Sequence, residues 1–194
     1  MRDSEIRSAL HNNFLSHFRK DGHSKIVDEL KICGGRTVAD VAVINGSLHV
    51  YEIKGEFDTV ERLQVQVSNY SKTFDYITVV ASKKHVHKIK EIVPSYCGIW
   101  QLTYCDKVLM KELIQPSILN FERDAFSIAQ LLWRDEALTL IEKSVEQIKP
   151  YKKLRKWLLW EELSKMFSVD ELSAHVRSIL KSRNDWKLSR FLNE

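Results

Sequence analysis

Residues 38–54 constrain the fold more than any other stretch of this chain. Two runs rich in Val, Ala and Ile flank Asn45-Gly46, and that dipeptide between β-branched residues is a strong hairpin signal, because both residues tolerate positive φ. Strand side chains alternate between faces, so Glu52 and Lys54 share one face with Leu48 and Val50 while Tyr51 and Ile53 point the other way. Turn length then decides where Asp40 goes. A two-residue loop sets Asp40 opposite Tyr51, with Glu52 opposite Ala39 on the wrong face. A three-residue loop of Asn45, Gly46 and Ser47, or a bulge further along, sets Asp40 opposite Glu52. We expect the second arrangement. A carboxylate buried within Val38-Ala-Asp-Val-Ala-Val43 would cost on the order of several kcal/mol without a cation or a strong donor.

Two carboxylates on one face suit a hard divalent ion such as magnesium, which keeps several waters and accepts only one or two protein carboxylates. Lys54 would orient or deprotonate an attacking water, or neutralise charge developing on a phosphate. The bland alternative is a solvated charge pair, since Glu-x-Lys is a common triplet on exposed antiparallel faces.

A chain of 194 residues with 44% hydrophobic residues has enough apolar surface for a full core. No apolar run approaches the length of a spanning helix and no signal-peptide pattern is visible, which predicts a cytoplasmic protein without a membrane partner. Cys33, Cys97 and Cys105 form no Cys-x-x-Cys pair, so reduced thiols are expected and zinc is not. The net charge of +4 permits a nucleic-acid partner without announcing one.

Taken in order, Asp3 can cap a helix to about residue 19 that carries Glu5 in its first turn, where a carboxylate suits the positive helix end. Residues 24–32 read as a strand containing Glu29, and Gly34-Gly35-Arg36 breaks the chain before the hairpin. Residues 58–61 have the form of a capping box for a helix to residue 73 or 74, on which Gln66 and Tyr70 sit four apart beside Arg62. A buried strand (75–81), a basic helix (82–93), a strand (95–104) and an edge strand (107–113) follow. The pattern predicts an α/β fold with a mixed central sheet flanked by helices, over residues 1–116. Helices at 123–133, 135–148, 151–167 and 169–183 predict a C-terminal helical subdomain, residues 117–194. Its run from Lys149 to Lys156 includes Lys152, Lys153 and Arg155 with no acid, followed by Trp157 and Trp160. That pattern fits a phosphate-contacting wall or buried tryptophans under a solvated face.

Asp40, an eleven-residue gap and Glu52-x-Lys54, after a helix with Glu5 and before one with Gln66-x-x-x-Tyr70, resemble the PD-(D/E)XK nuclease superfamily. The likeness is to its Holliday-junction-resolvase and RecB-like branch, including small bacterial and phage-borne proteins. It covers about residues 1–105, with Ala39 where the family name has proline. The resemblance implies a restriction-endonuclease-like core and magnesium, or manganese in its place, bound by Asp40, Glu52 and the Ile53 carbonyl. Lys54 would serve the water, Glu5 would add a metal contact, and Gln66 and Tyr70 would position the scissile strand. Arg36, Arg62, Lys152, Lys153 and Lys156 are the basic candidates for nucleic acid.

The expected function is metal-dependent endonucleolytic hydrolysis of DNA in repair, recombination or mobile-element conflict. RNA is not excluded as substrate, and a homodimer is as compatible with the resemblance as a single chain. The alternative is a catalytically silent module of the same fold that binds nucleic acid or a protein.

Overall fold

The computed structural model describes residues 1–106 and 108–183. Its centre is a six-stranded sheet in the order β1 (Lys25–Ile32), β2 (Thr37–Ile44), β3 (Leu48–Lys54), β4 (Tyr76–Ser82), β5 (Gly98–Cys105) and β6 (Val108–Gln115). The first three strands form an antiparallel meander, β3, β4 and β5 run parallel, and β6 returns antiparallel. The α/β class with a mixed sheet is therefore as the sequence pattern predicts. Lys107, the expected first residue of the edge strand, and residues 184–194 of the expected helical part lie outside the described residues.

Parallel neighbours need crossovers, and α3 (Leu63–Ser71) and α4 (Lys83–Ile92) supply them. Leu63, Val67, Val86 and Ile89 bury into one cluster with Leu48, Val50, Ile77 and Val79. Both helices thus cover the same face, as two crossovers of one hand stepping the same way across a sheet must. The opposite face carries α1 (Asp3–Ala9), a wide turn at Leu10–Phe14 and α2 (Ser16–Lys20). Leu15 N–H there donates to Leu10 O, five residues back (2.8 Å), so the expected single helix is interrupted. Ile6, Leu10 and Leu15 pack on Val41, Val43, Tyr51 and Ile53.

After β6 the chain turns helical: α5 (Ala125–Ala129), α6 (Arg134–Glu142), α7 (Lys156–Met166) and α8 (Val169–Ser182). Ser168 caps α8 in the expected box with Glu171. These helices are shorter than the periodicity predicts. Residues 151–167 are not one helix, because Tyr151–Lys153 forms a single tight turn and Leu154 is extended before α7 begins. The change from sheet to helix falls between residues 115 and 125, yet Ile128, Leu159, Trp160, Leu172 and Val176 share a cluster with Val27, Leu30 and Ala42 of the sheet.

An ion-paired clamp adds direction to that packing. Buried Asp75 accepts from Leu48 N–H through Oδ2 (2.6 Å) and pairs with the Arg123 guanidinium through Oδ1. Arg123 also donates to Asp170 of α8 (3.0 Å). One carboxylate at the start of β4 thereby ties the hairpin turn to the helical extension.

Candidate active site

The turn between β2 and β3 is the three-residue form. Ile44 pairs with Leu48 around Asn45, Gly46 and Ser47, and Asn45 Oδ1 accepts from Ser47 N–H (2.9 Å). The register runs from Ile44↔Leu48 to Val41↔Tyr51, so its next step sets Asp40 against Glu52.

At that step the two strands part. Residues 52–54 continue alongside β4, as Glu52↔Val79, Ile53↔Val80 and Lys54↔Ala81, while residues 37–39 continue alongside β1. Asp40 bridges the fork with its side chain, its Oδ2 accepting from Ile53 N–H (2.8 Å). On the other side, the β1–β2 register is unbroken across Asp28↔Val41 and Leu30↔Ala39, which leaves Glu29 facing Asp40. Glu29 holds φ +54°, a left-handed conformation that costs a residue with a Cβ about 1 kcal/mol. Asp40 O meanwhile accepts from Arg7 Nη1 (2.6 Å) of α1.

Glu52 sits within the wedge, 1% exposed. Its Oε1 accepts from Lys54 Nζ (2.8 Å) and Gln66 Nε2 (2.6 Å), and its Oε2 accepts from the Tyr70 hydroxyl. Lys54 Nζ also donates to Gln66 Oε1 (3.0 Å). The Gln66 amide thus closes a triangle, its two ends matched to an acceptor and a donor. Residues four apart stack on one helix face, which is how α3 delivers Gln66 and Tyr70 together. Tyr70 is fully buried, edge-on to Phe74 at 5.9 Å between ring centres. It is therefore both a core residue and the group that holds Glu52.

Electrostatics set the protonation of this cluster. Burial, and then the negative charge of Glu52, push the Asp40 carboxyl up to about 7, against the opposing pull of the Ile53 amide and Arg7. Burial, followed by the Glu52 charge, also raises the Tyr70 hydroxyl, which stays protonated as a donor. Burial alone would lower the Arg7 guanidinium, but its carboxylate neighbours raise it instead. It lies 3.3 Å from Asp3 and 3.5 Å from both Asp28 and Asp40.

Of the residues singled out in the sequence, Asp40, Glu52, Lys54, Gln66 and Tyr70 come together, with Ile53 contributing its amide to Asp40. Glu5 does not join them. Its carboxylate accepts from Arg2 N–H and from the Tyr104 hydroxyl (2.9 Å), and it is exposed. Asp3 and Arg7 are four apart and share a helix face, whereas Glu5, two from each, projects from the other side. Residues 58–61 do not cap α3 either. Asp58 Oδ2 accepts from Gly55 N–H (2.7 Å) instead, and the helix starts at Leu63.

Arg36 and Arg62 are exposed, at the β1–β2 turn and just before α3. Lys152 and Lys153 occupy the tight turn and Lys156 opens α7, where Arg134 Nη2 reaches Lys152 O (2.7 Å) and ties the run to α6. The two tryptophans there divide: Trp160 is core, its Nε1 donating to Leu132 O (3.1 Å), while Trp157 is 52% exposed. Sequence reasoning missed Arg7 and Asp28. The Asp3-x-x-x-Arg7 spacing was the available signal for the first; nothing local marks the second.

The donor chemistry fits a hard cation. Asp40 and Glu52 supply the one or two carboxylates that magnesium or manganese takes beside its waters. Among the described residues, no group of three or more His, Cys, Asp or Glu side chains is placed to hold a metal.

Sequence comparison matches the model of the bacteriophage P4 protein cII family over residues 1–194. Protein cII of Enterobacteria phage P4 is 25% identical over 144 residues, 73% of this chain and 53% of that protein. The chain thus spans about half the length of the curated relative it matches. No solved structure matches it. By the extent of the family match, which runs the length of the chain, this protein belongs to the bacteriophage P4 protein cII family.

Proposed function

We propose that this chain is a metal-dependent endonuclease that hydrolyses DNA phosphodiester bonds, using magnesium or manganese, in the cytoplasm. The observation that carries the reading is the Glu52–Lys54 ion pair, with side chains 1% and 8% exposed, at a fork bridged by Asp40. A buried ion pair returns little net stability relative to a packed apolar pair, so its presence at this fork favours a functional role. The likeness to the PD-(D/E)XK pattern supports the same assignment.

In this reading Asp40, Glu52 and the Ile53 carbonyl would hold the metal, which when bound polarises a phosphate oxygen and lowers the pKa of a water. Lys54 holds its ammonium where it can orient that water or offset phosphate charge. Gln66 keeps Lys54 and Glu52 at fixed spacing, and Tyr70 fixes the second oxygen of Glu52. Arg36, Arg62, Lys152, Lys153 and Lys156 are the basic residues assigned to backbone contacts. The test incubates purified protein with plasmid, linear and branched DNA, and with RNA, in magnesium or manganese, beside Asp40→Ala and Lys54→Ala. Cleavage abolished in both variants supports the assignment; cleavage that persists in both, or is absent from the wild-type protein, sinks it. Sizing with and without DNA separates single chain from homodimer.

One observation favours a second reading, a silent module that binds nucleic acid or a protein. Both Glu52 oxygens already have donors, an arrangement that neutralises the carboxylate without a metal. Absence of manganese binding by calorimetric titration would select it.

A further inference from the structure

Helix α4 is divided sharply along its length. At 100° per residue, Lys83, Lys84, His87, Lys88, Lys90 and Glu91 fall within an arc of about 160°, and all six are exposed. His85, Val86 and Ile89 fill the opposite arc and are buried. Four lysines against one glutamate give ten residues a surplus of three positive charges, in a chain whose whole surplus is four. Glu91 lies 3.3 Å from the His87 ring. Among the described residues, no carboxylate stands within ion-pair distance of any of the four lysines.

Position gives this face its meaning. α4 leaves the carboxyl end of β4 at Ser82, next to Ala81, which pairs with Lys54. Lys84 Nζ donates to Glu56 O (3.0 Å), two residues past Lys54. The lysine face therefore starts beside the exit of the strand that carries Glu52 and Lys54. The Lys149 to Lys156 run, though as basic, is anchored to α6 instead.

We propose that the outer face of α4 is a docking surface for the phosphate backbone of duplex DNA, leading along Lys90, Lys88 and Lys83 toward the carboxylate site. A lysine ammonium is a point charge suited to phosphate oxygens and blind to base sequence. The surface accordingly supplies affinity and orientation without sequence preference. This inference rests on the nuclease reading for the identity of the partner, but its test is independent of cleavage.

The test is fluorescence anisotropy of a labelled 20-base-pair duplex, titrated without divalent metal across a series of salt concentrations. The triple variant K83Q/K88Q/K90Q is compared with wild type and with K20Q/K31Q/K143Q, which removes the same charge from exposed lysines elsewhere. Each phosphate contact adds about 0.9 to the slope of log affinity against log salt. The α4 variant should flatten that slope by about two to three, and the control should barely move it. Melting curves and manganese titration should match wild type in both variants. Equal flattening in the two variants would reduce the effect to net charge and overturn the proposal, as would a wild-type protein that fails to bind the duplex. Flattening confined to the α4 variant in a protein that cuts nothing would uphold the surface and sink the catalytic reading.

Discussion

Asp40 Oδ2 accepts from Ile53 N–H at 2.8 Å, with Asp40 one residue and Ile53 two residues beyond the last β2–β3 pair, Val41↔Tyr51. A side chain there does what a strand carbonyl does in a continuing ladder, and that substitution lets the strands diverge without abandoning a buried donor. Glu52, Lys54, Gln66 and Tyr70 meet beside that divergence. The parting of the two strands and the gathering of the charged cluster are thus one structural event.

Tyr70→Phe deletes the donor to Glu52 Oε2 while leaving the ring in place. A buried acceptor left unsatisfied costs about 1–3 kcal/mol, equivalent to a drop in Tm of roughly 2–12 °C for a chain of this size. Combining it with Glu52→Gln should cost less than the sum of the two single changes, since both act on one hydrogen bond. Additive melting temperatures would mean that the bond contributes nothing.

Gly55 is packed too closely for a side chain. A Cβ there would meet Met1 O at 3.1 Å, Asp3 N at 3.2 Å and Asp58 Oδ2 at 3.3 Å, so Gly55→Ala pushes the start of α1 off the strand exit. Overpacking of this kind costs about 1–2 kcal/mol. Hydrogen exchange should accelerate in α1 and around residues 55–58 while the amides of β4 keep their protection.

His49 makes the protein acid-sensitive. Its ring stacks on Tyr51 and its Nε2 lies 2.8 Å from Thr78 Oγ1, and burial pushes its pKa down to about 3. In the unfolded chain the ring takes a proton near pH 6.5, so between pH 6.5 and 3 only the unfolded state is protonated. Stability from this residue is complete above pH 6.5 and is lost as pH falls. Between pH 7 and 4 wild type should lose about 3 kcal/mol more than His49→Gln. Denaturant melts of equal pH dependence would refute it.

A fragment ending at residue 120 should not fold. Leu159, Leu163, Leu172 and Val176 of the helices are buried in one cluster with residues of the sheet, and Asp75 would lose both Arg123 and Arg177. Removing one partner of a buried ion pair costs about 3–5 kcal/mol, comparable with much of the stability of a small domain. A cooperative thermal transition of the isolated fragment would contradict this.

Local signals carried much of the fold. Asn45-Gly46 marked the hairpin, alternation marked β1, a nearly unbroken apolar run marked β4, and Ser168-x-x-Glu171 marked the start of α8, while the structure decided between the two turn lengths that set the parity of Asp40 with Glu52. These features act over a few residues, through φ preferences and side-chain spacing, and are therefore written in neighbouring positions. The reach of each helix was less legible, since α3 starts four residues late, its N-cap at Arg62 rather than Asp58, which satisfies Gly55 instead.

What only the tertiary structure decided is what lies across the chain from these residues. Arg7 meets Asp40 across 33 positions, Asp75 meets Arg123 across 48, and Glu5 turns to Tyr104 across 99. No periodicity encodes such partners, because burial and charge choose them after the sheet and helices have come together. The sequence by itself determined which elements form and which face of β3 carries the charged pair. Packing decided that β2 leaves β3 at Asp40, that Glu29 takes a strained backbone beside it, and that the helical extension closes the core rather than standing apart.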